Sequence, residues 1–194
     1  FLVGSSLGGC IALSLSLTVK TLAGEPDPNA FAGVVLLAPM IALTVSPVAA
    51  NALWLLSWSP LARLPLIPSA STDNTKQYAC PIRRAECSDD SLSYGGKLRP
   101  GSAYSCVELA QRLRDSLGSV RVPFLCLVAE GDVVVDNTGC DELERLAATA
   151  QERRRVVRYP GALHGLMCEP EERRHEIERE IHSWIQRQLL LRLP

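Results

Sequence analysis

The first ten residues, FLVGSSLGGC, constrain this chain more than any other stretch. An apolar run passes directly into Gly4-Ser5-Ser6-Leu7-Gly8-Gly9, and small and apolar residues then continue from Leu7 to Leu22 with few breakers. FLVGS is too uniformly apolar for a half-exposed strand and reads as the end of a buried one. The continuation reads as a buried helix, stopped by Gly24 and Pro26. A strand that becomes a helix across one serine must hold that serine in a strained backbone conformation. Glycines at positions 4 and 8 are expected to remove the side chains that would collide there. Ser6 would then stand at the helix N-terminus with its hydroxyl in solvent and the Leu7 N–H free to donate to a developing oxyanion. An ordinary glycine-rich turn also satisfies G-x-S-x-G, so the rest of the chain has to decide.

The alternation continues downstream. PDPN turns, and FAGVVLLAP is a second apolar strand stopped by Pro39, which makes a right-handed parallel unit with the first. VPFLCLVAEGD reads as a third strand, DELERLAATAQ as a helix with an acidic first turn, and RRVVRYPG as a fourth strand. EPEERRHEIEREIHSWIQRQLL is a long amphipathic helix with Ile177, Ile181, Trp184, Ile185 and Leu189 on one face. Its charged side reads as a solvated face, with pairs such as Glu169 and Arg173.

Residues 41–118 break this rhythm. They carry prolines, two tryptophans and the polar stretch STDNTKQYACPIRRAECSDD, read as loops, before SCVELAQRLRDSL turns helical on Val107, Leu109, Ala110, Leu113 and Leu117. The expected organisation is therefore α/β with a mostly parallel sheet: core 1–40, a cap or lid insertion 41–118 lying over the sheet, and core 119–194.

With 194 residues, 47% hydrophobic, and a formal net charge of -1, the chain can bury a sizeable core, and nothing in its charge calls for nucleic acid. Seven cysteines without a CxxC pair argue against a disulfide framework or a zinc site and for a reducing compartment. Cys10 and Cys126, in apolar runs, read as small hydrophobes. No charge occurs from Pro28 to Ala62, yet Pro39, Pro47 and Pro60 interrupt that stretch, leaving nothing near the roughly 20 residues of a membrane span. The chain begins in mid-strand without an initiator Met or a signal peptide, which reads as an N-terminally incomplete sequence.

A serine hydroxyl is a poor nucleophile until a histidine removes its proton, and that histidine needs a carboxylate to fix its tautomer. LCLVAEGDVVVD places Asp132 just after the third strand, and RRVVRYPGALHG places His164 after the fourth, so Ser6, Asp132 and His164 share one expected sheet rim. Asp136 is the alternative acid, and Glu130 fits on spacing alone. His175 and His182, inside the charged helix, read as solvent-facing. Ser5 as nucleophile would break the glycine frame.

These segments resemble the monoacylglycerol lipase/lysophospholipase group of serine α/β-hydrolases (S33-type, hydrolase-4). The similarity runs from the GSSLGG elbow through FAGVVLLAPMI, DDSLSYGGKLRPGSAYSCVELAQRL and VPFLCLVAEGDVVVD to YPGALHGLMCE. It implies an α/β-hydrolase fold with a helical cap, Ser6, Asp132 and His164 as a triad, and no cofactor or metal. The implied substrate is a small-molecule lipid ester, a monoacylglycerol or lysophospholipid. Two departures stand out. The elbow is GSSLGG rather than GHSMGG-like. The HG-type loop that supplies a second oxyanion donor in that group matches nothing here, and loss of one such donor costs on the order of 10²–10³ in turnover. By the group's strand order, the elbow strand would also present an unpaired apolar edge. These residues alone are therefore expected to be insoluble or inactive, and soluble expression with full esterase turnover would refute that.

ANALWLLSWSPLARLPLI, with Trp54, Leu55 and Trp58, is expected to pack onto the core on one side. On the other it would offer an acyl-chain entrance and peripheral membrane contact, in a cytoplasmic or membrane-associated protein. The alternatives are an esterase on a short-chain or phenolic ester, and a catalytically inactive member that only binds. Cys140 and Cys168 lie in loops that could approach the site, where inert thiols are favoured over oxidative inhibition.

Overall fold

The computed structural model describes residues 1–24 and 27–192. Four strands, β1 (Leu2–Ser5), β2 (Val34–Leu37), β3 (Phe124–Ala129) and β4 (Arg154–Tyr159), form one sheet in the order β1-β2-β3-β4. Every pairing is parallel, with Val3 opposite Val35, Val35 opposite Leu125, and Leu125 opposite Arg155.

The side chains of β2 and β3 alternate between two cores. Val34, Leu36, Phe124, Cys126 and Val128 face one cluster; Val35, Leu37, Leu125, Leu127 and Ala129 face the other. Burial on both faces is why these strands read as unbroken apolar runs.

The strand order advances in one direction, so right-handed crossovers place every connecting helix on the same side. Helices α1 (Leu7–Thr18), α5 (Pro100–Asp115) and α6 (Thr138–Leu146) accordingly share the first cluster, through Cys10 and Leu13, Ala110 and Leu113, and Cys140 and Leu143. Helix α7 (Glu171–Leu190) follows the last strand and covers the opposite face with Ile177, Ile181, Trp184 and Ile185. This is the α/β-hydrolase architecture that the sequence implied.

Between β2 and β3 the chain forms α2 (Pro47–Ser57), α3 (Asn74–Gln77), α4 (Pro81–Asp89) and α5 in place of strands. The stretch read as polar loops thus holds two helices. Pro81 occupies the first turn of α4, where its missing N–H costs nothing, and Pro100 starts α5 five residues earlier than the apolar pattern suggested. Within this insertion α2 buries Leu53 but leaves Trp54 46%, Leu55 63% and Trp58 80% exposed.

Other boundaries also differ from the sequence reading. Helix α1 ends at Thr18, not Leu22. Gly24 adopts φ 85° in a turn beyond the helix rather than capping it, and Pro26 lies outside the described residues. Leu189, expected on the buried face of α7, is half exposed, and Gln188 is fully buried instead.

Candidate active site

Ser6 is the hinge between β1 and α1. Its backbone sits at φ 53°, ψ -124°, a conformation that an L-residue with a side chain occupies only under constraint. The constraint is visible. The Ser6 N–H donates to the Leu37 carbonyl (3.0 Å), and the Ser6 carbonyl accepts from Met40 (2.9 Å) and Gly9 (3.0 Å), so both β2 and the loop after it grip the turn.

A Cβ on Gly4 would lie 2.2 Å from the Gly8 carbonyl oxygen, so this position admits no side chain. A Cβ on Gly8 would meet nothing within 4 Å, whereas one on Gly9 would lie 2.8 Å from Pro39 Cβ. The steric requirement assigned to Gly8 therefore belongs to Gly9, because the helix packs against Pro39 one residue later than the motif indicates. Leu7 is the first residue of α1, and the first N–H groups of a helix have no partner within it.

Asp132 and His164 are in direct contact. The His164 Nδ1 atom lies 2.7 Å from Asp132 Oδ2, and the two side chains are 6% and 0% exposed. The other carboxylate oxygen of Asp132 accepts the N–H groups of Val134 (2.7 Å) and Val135 (3.1 Å), which fixes its plane. The Gly131 N–H donates to Ala162 (2.9 Å) and joins the acid loop to the histidine loop.

The rival residues are engaged elsewhere. Asp136 accepts from Thr44 Oγ1 and from the N–H and hydroxyl of Thr138; the Thr138 hydrogen bonds hold its carboxyl below the usual range. Glu130 is exposed, as are His175 and His182 on α7. His175 lies 4.0 Å from Glu171, and His182 lies 3.4 Å from Gln186.

Ser6 follows β1, Asp132 follows β3 and His164 follows β4, and in a parallel sheet those positions share the carboxyl edge. The hydrogen bonding joins the second and third of them directly; Ser6 is placed by its own turn.

The insertion reaches this rim. The Gly165 N–H donates to Gln77 (2.8 Å) and the Cys80 N–H to Cys168 (3.3 Å). A cleft of about 530 Å³ inside the insertion, lined by Ser69, Asp73 and Lys97 among others, includes none of the three site residues.

Cys10, Cys126 and Cys140 are fully buried. Burial pushes Cys10 up to about 11, and the Cys140 thiol together with burial raises Cys126. Cys168 is half-buried and likewise raised by burial. Among the described residues no His, Cys, Asp and Glu side chains cluster as a metal site, and no helix is long and apolar enough to cross a membrane.

The family model of the S33 serine aminopeptidases (Hydrolase_4) matches residues 1–171. The chain belongs to this family. Its fold is similar to that of a monoacylglycerol lipase from Paleococcus ferrophilus (TM-score 0.77, 20% identity), covering 96% of this chain and 67% of that one. A soluble variant of monoglyceride lipase from Saccharomyces cerevisiae, solved with a substrate analogue, aligns at TM-score 0.76 and 18% identity over 97% of this chain and 64% of the other. A thermostable carboxyl esterase from Bacillus coagulans aligns at 0.65 and 17%, over 95% and 63%. This family member thus spans about two thirds of the length of these structures. No curated protein is similar enough to match it.

The i,i+4 spacing of Glu169 and Arg173 predicts an exposed pair on a solvated face. The pair exists at 3.0 Å, but Glu169 precedes α7 and its side chain is 1% exposed. The spacing to Arg173 is the same for a buried and an exposed carboxylate, so no periodicity could have shown it.

Proposed function

We propose that this hydrolase-family chain carries the nucleophile, acid and base of a serine ester hydrolase. Ser6 Oγ attacks the ester carbonyl carbon while His164 Nε2 takes its proton, and Asp132 holds the imidazolium. The alcohol leaves with that proton, and water then cleaves the acyl-serine by the same route in reverse. The Leu7 N–H, with the helix dipole behind it, faces the charge that develops on the carbonyl oxygen. The observation that carries this reading is the pairing of a strained Ser6 backbone with a desolvated 2.7 Å Asp132–His164 contact on the same sheet edge.

The substrate we favour is a carboxylic ester of a lipid, a monoacylglycerol or lysophospholipid. Exposed Trp54, Leu55 and Trp58 support it, since they give the insertion an apolar surface suited to an acyl chain and to peripheral contact with a membrane. The Paleococcus and Saccharomyces relatives named above lend it further support.

A fluorophosphonate probe tests the chemistry. Labelling that disappears in Ser6→Ala is the expected result; a folded protein that takes no label overturns it. Turnover of long-chain monoacylglycerol against a short-chain phenolic ester then tests the lipid assignment, which a preference for the phenolic ester would reverse.

A further inference from the structure

The loop that carries His164 is closed by a side chain that the reaction itself does not use. Glu169 Oε1 accepts the N–H of Leu163, the residue immediately before the histidine, at 2.9 Å, and Oε2 accepts Arg173 Nη1 at 3.0 Å. The carboxylate is almost completely buried. Burial of a charge at this depth is unfavourable unless its oxygens are satisfied, and here one is satisfied by the backbone of the loop and the other by the first turn of α7. The segment 163–169 is thereby a ring: the Glu169 side chain reaches back six residues, and a short turn at Leu166–Cys168 fills the interior.

The other restraints flank this point. Ala162 is held to Gly131, the His164 carbonyl accepts the Leu166 N–H (3.0 Å), Gly165 is held to Gln77, and the ring nitrogen to Asp132. Without Glu169 the Leu163 N–H has no partner, and the peptide that enters His164 loses the hydrogen bond that fixes it.

We propose that Glu169 is a positioning residue that holds His164 Nδ1 on Asp132 and so aims Nε2 at the Ser6 hydroxyl. The inference rests on the hydrolase reading for its kinetic consequences but not for its geometry. Misplacement of a catalytic group by about 1 Å lowers turnover by up to about 10²-fold, which sets the scale expected here.

Three variants separate the clasp from the ion pair. Glu169→Met keeps the volume but removes the acceptor. Glu169→Gln keeps an oxygen for the Leu163 N–H but gives up the charge. Arg173→Gln leaves the clasp intact and breaks only the pair. Glu169→Met is expected to lose about 10²-fold in kcat with little change in KM. Glu169→Gln should recover most of that loss, and Arg173→Gln should retain activity while melting earlier.

The direct readout is the NMR resonance of the His164 Hδ1 proton, which needs no turnover. The downfield signal of a proton held between Nδ1 and Asp132 Oδ2 should move upfield or broaden in Glu169→Met and return toward the parent position in Glu169→Gln. A folded Glu169→Met protein with the parent resonance overturns the proposal, as does a Glu169→Gln variant as impaired as Glu169→Met. If the parent protein shows this resonance but neither labels nor turns over, the hydrolase reading fails while the positioning role stands.

Discussion

The Ser6 turn and the Asp132–His164 pair occupy one rim of the sheet, yet they are held by different means. The turn is a local object: Gly4 to Gly9 can hardly take another shape, and β2 and Pro39 lock it from one side. The pair is a long-range object, formed across 32 residues and dependent on burial, two backbone donors to Asp132 and the Glu169 clasp. Their surroundings differ as well. β3 is buried on both faces, whereas β1 is an edge strand paired only with β2 among the described residues. Val3 is 60% exposed there, and Ile11 and Leu15 of the adjoining α1 are about half exposed. A strained serine turn can therefore sit at the less covered end of the sheet because its geometry is covalent and steric. The charge contact needs the dry end, where a carboxylate keeps its partner without competition from water.

The largest effect that sharpens this contrast is chemical. Ser6→Ala should lower esterase turnover by roughly 10⁴ or more while leaving the thermal midpoint unchanged. Asp132→Asn should lose about 10⁴-fold through the wrong histidine tautomer, and Asp136→Asn almost nothing, measured as kcat on one ester. Equal losses in the two would reassign the acid.

Next come the glycines of the turn. Gly4→Ala should destabilise by about 3 kcal/mol, since its Cβ would strike the Gly8 backbone. Gly9→Ala should cost less, because its Cβ would meet Pro39 Cβ at 2.8 Å, a milder overlap than the 2.2 Å approach at Gly4. Gly8→Ala, in open space at the start of a helix, should be neutral or stabilise by about 0.5 kcal/mol. Thermal melts of the three variants check this order, and a destabilised Gly8→Ala would break it.

The smallest effect is electrostatic. The carboxyl of Asp136 titrates below its ordinary 3.8 in the folded state, so its contribution is fully present above that value and fades as pH falls below it. The stability gap between the parent and Asp136→Asn should accordingly close in acid, as followed by denaturant unfolding at pH 7 and pH 3. A gap that widens in acid contradicts the assignment.

Much of this was legible in the order of residues. The alternation of apolar runs and helices predicted a parallel sheet, and the spacing of GSSLGG, EGD and ALHG predicted three strand-end loops. What escaped did so for identifiable reasons. Helix α4 is too polar to show an apolar stripe, and its only signal was a proline at the first helical position. Gln188 took the buried place on α7 because Ile177, Ile181, Trp184 and residue 188 follow the helical repeat, while Leu189 falls just outside it. Gly8 fits the motif, but Gly9 meets the neighbour.

The sequence by itself determined the strand–turn–helix at Ser6, because local sterics leave so few alternatives that six residues suffice. It determined also the chain order of the three strand-end residues Ser6, Asp132 and His164. Only the tertiary structure decided which carboxylate meets His164, which glycine the packing demands, and that Glu169 turns inward. Each of those depends on which surfaces water leaves, and a linear spacing does not record that.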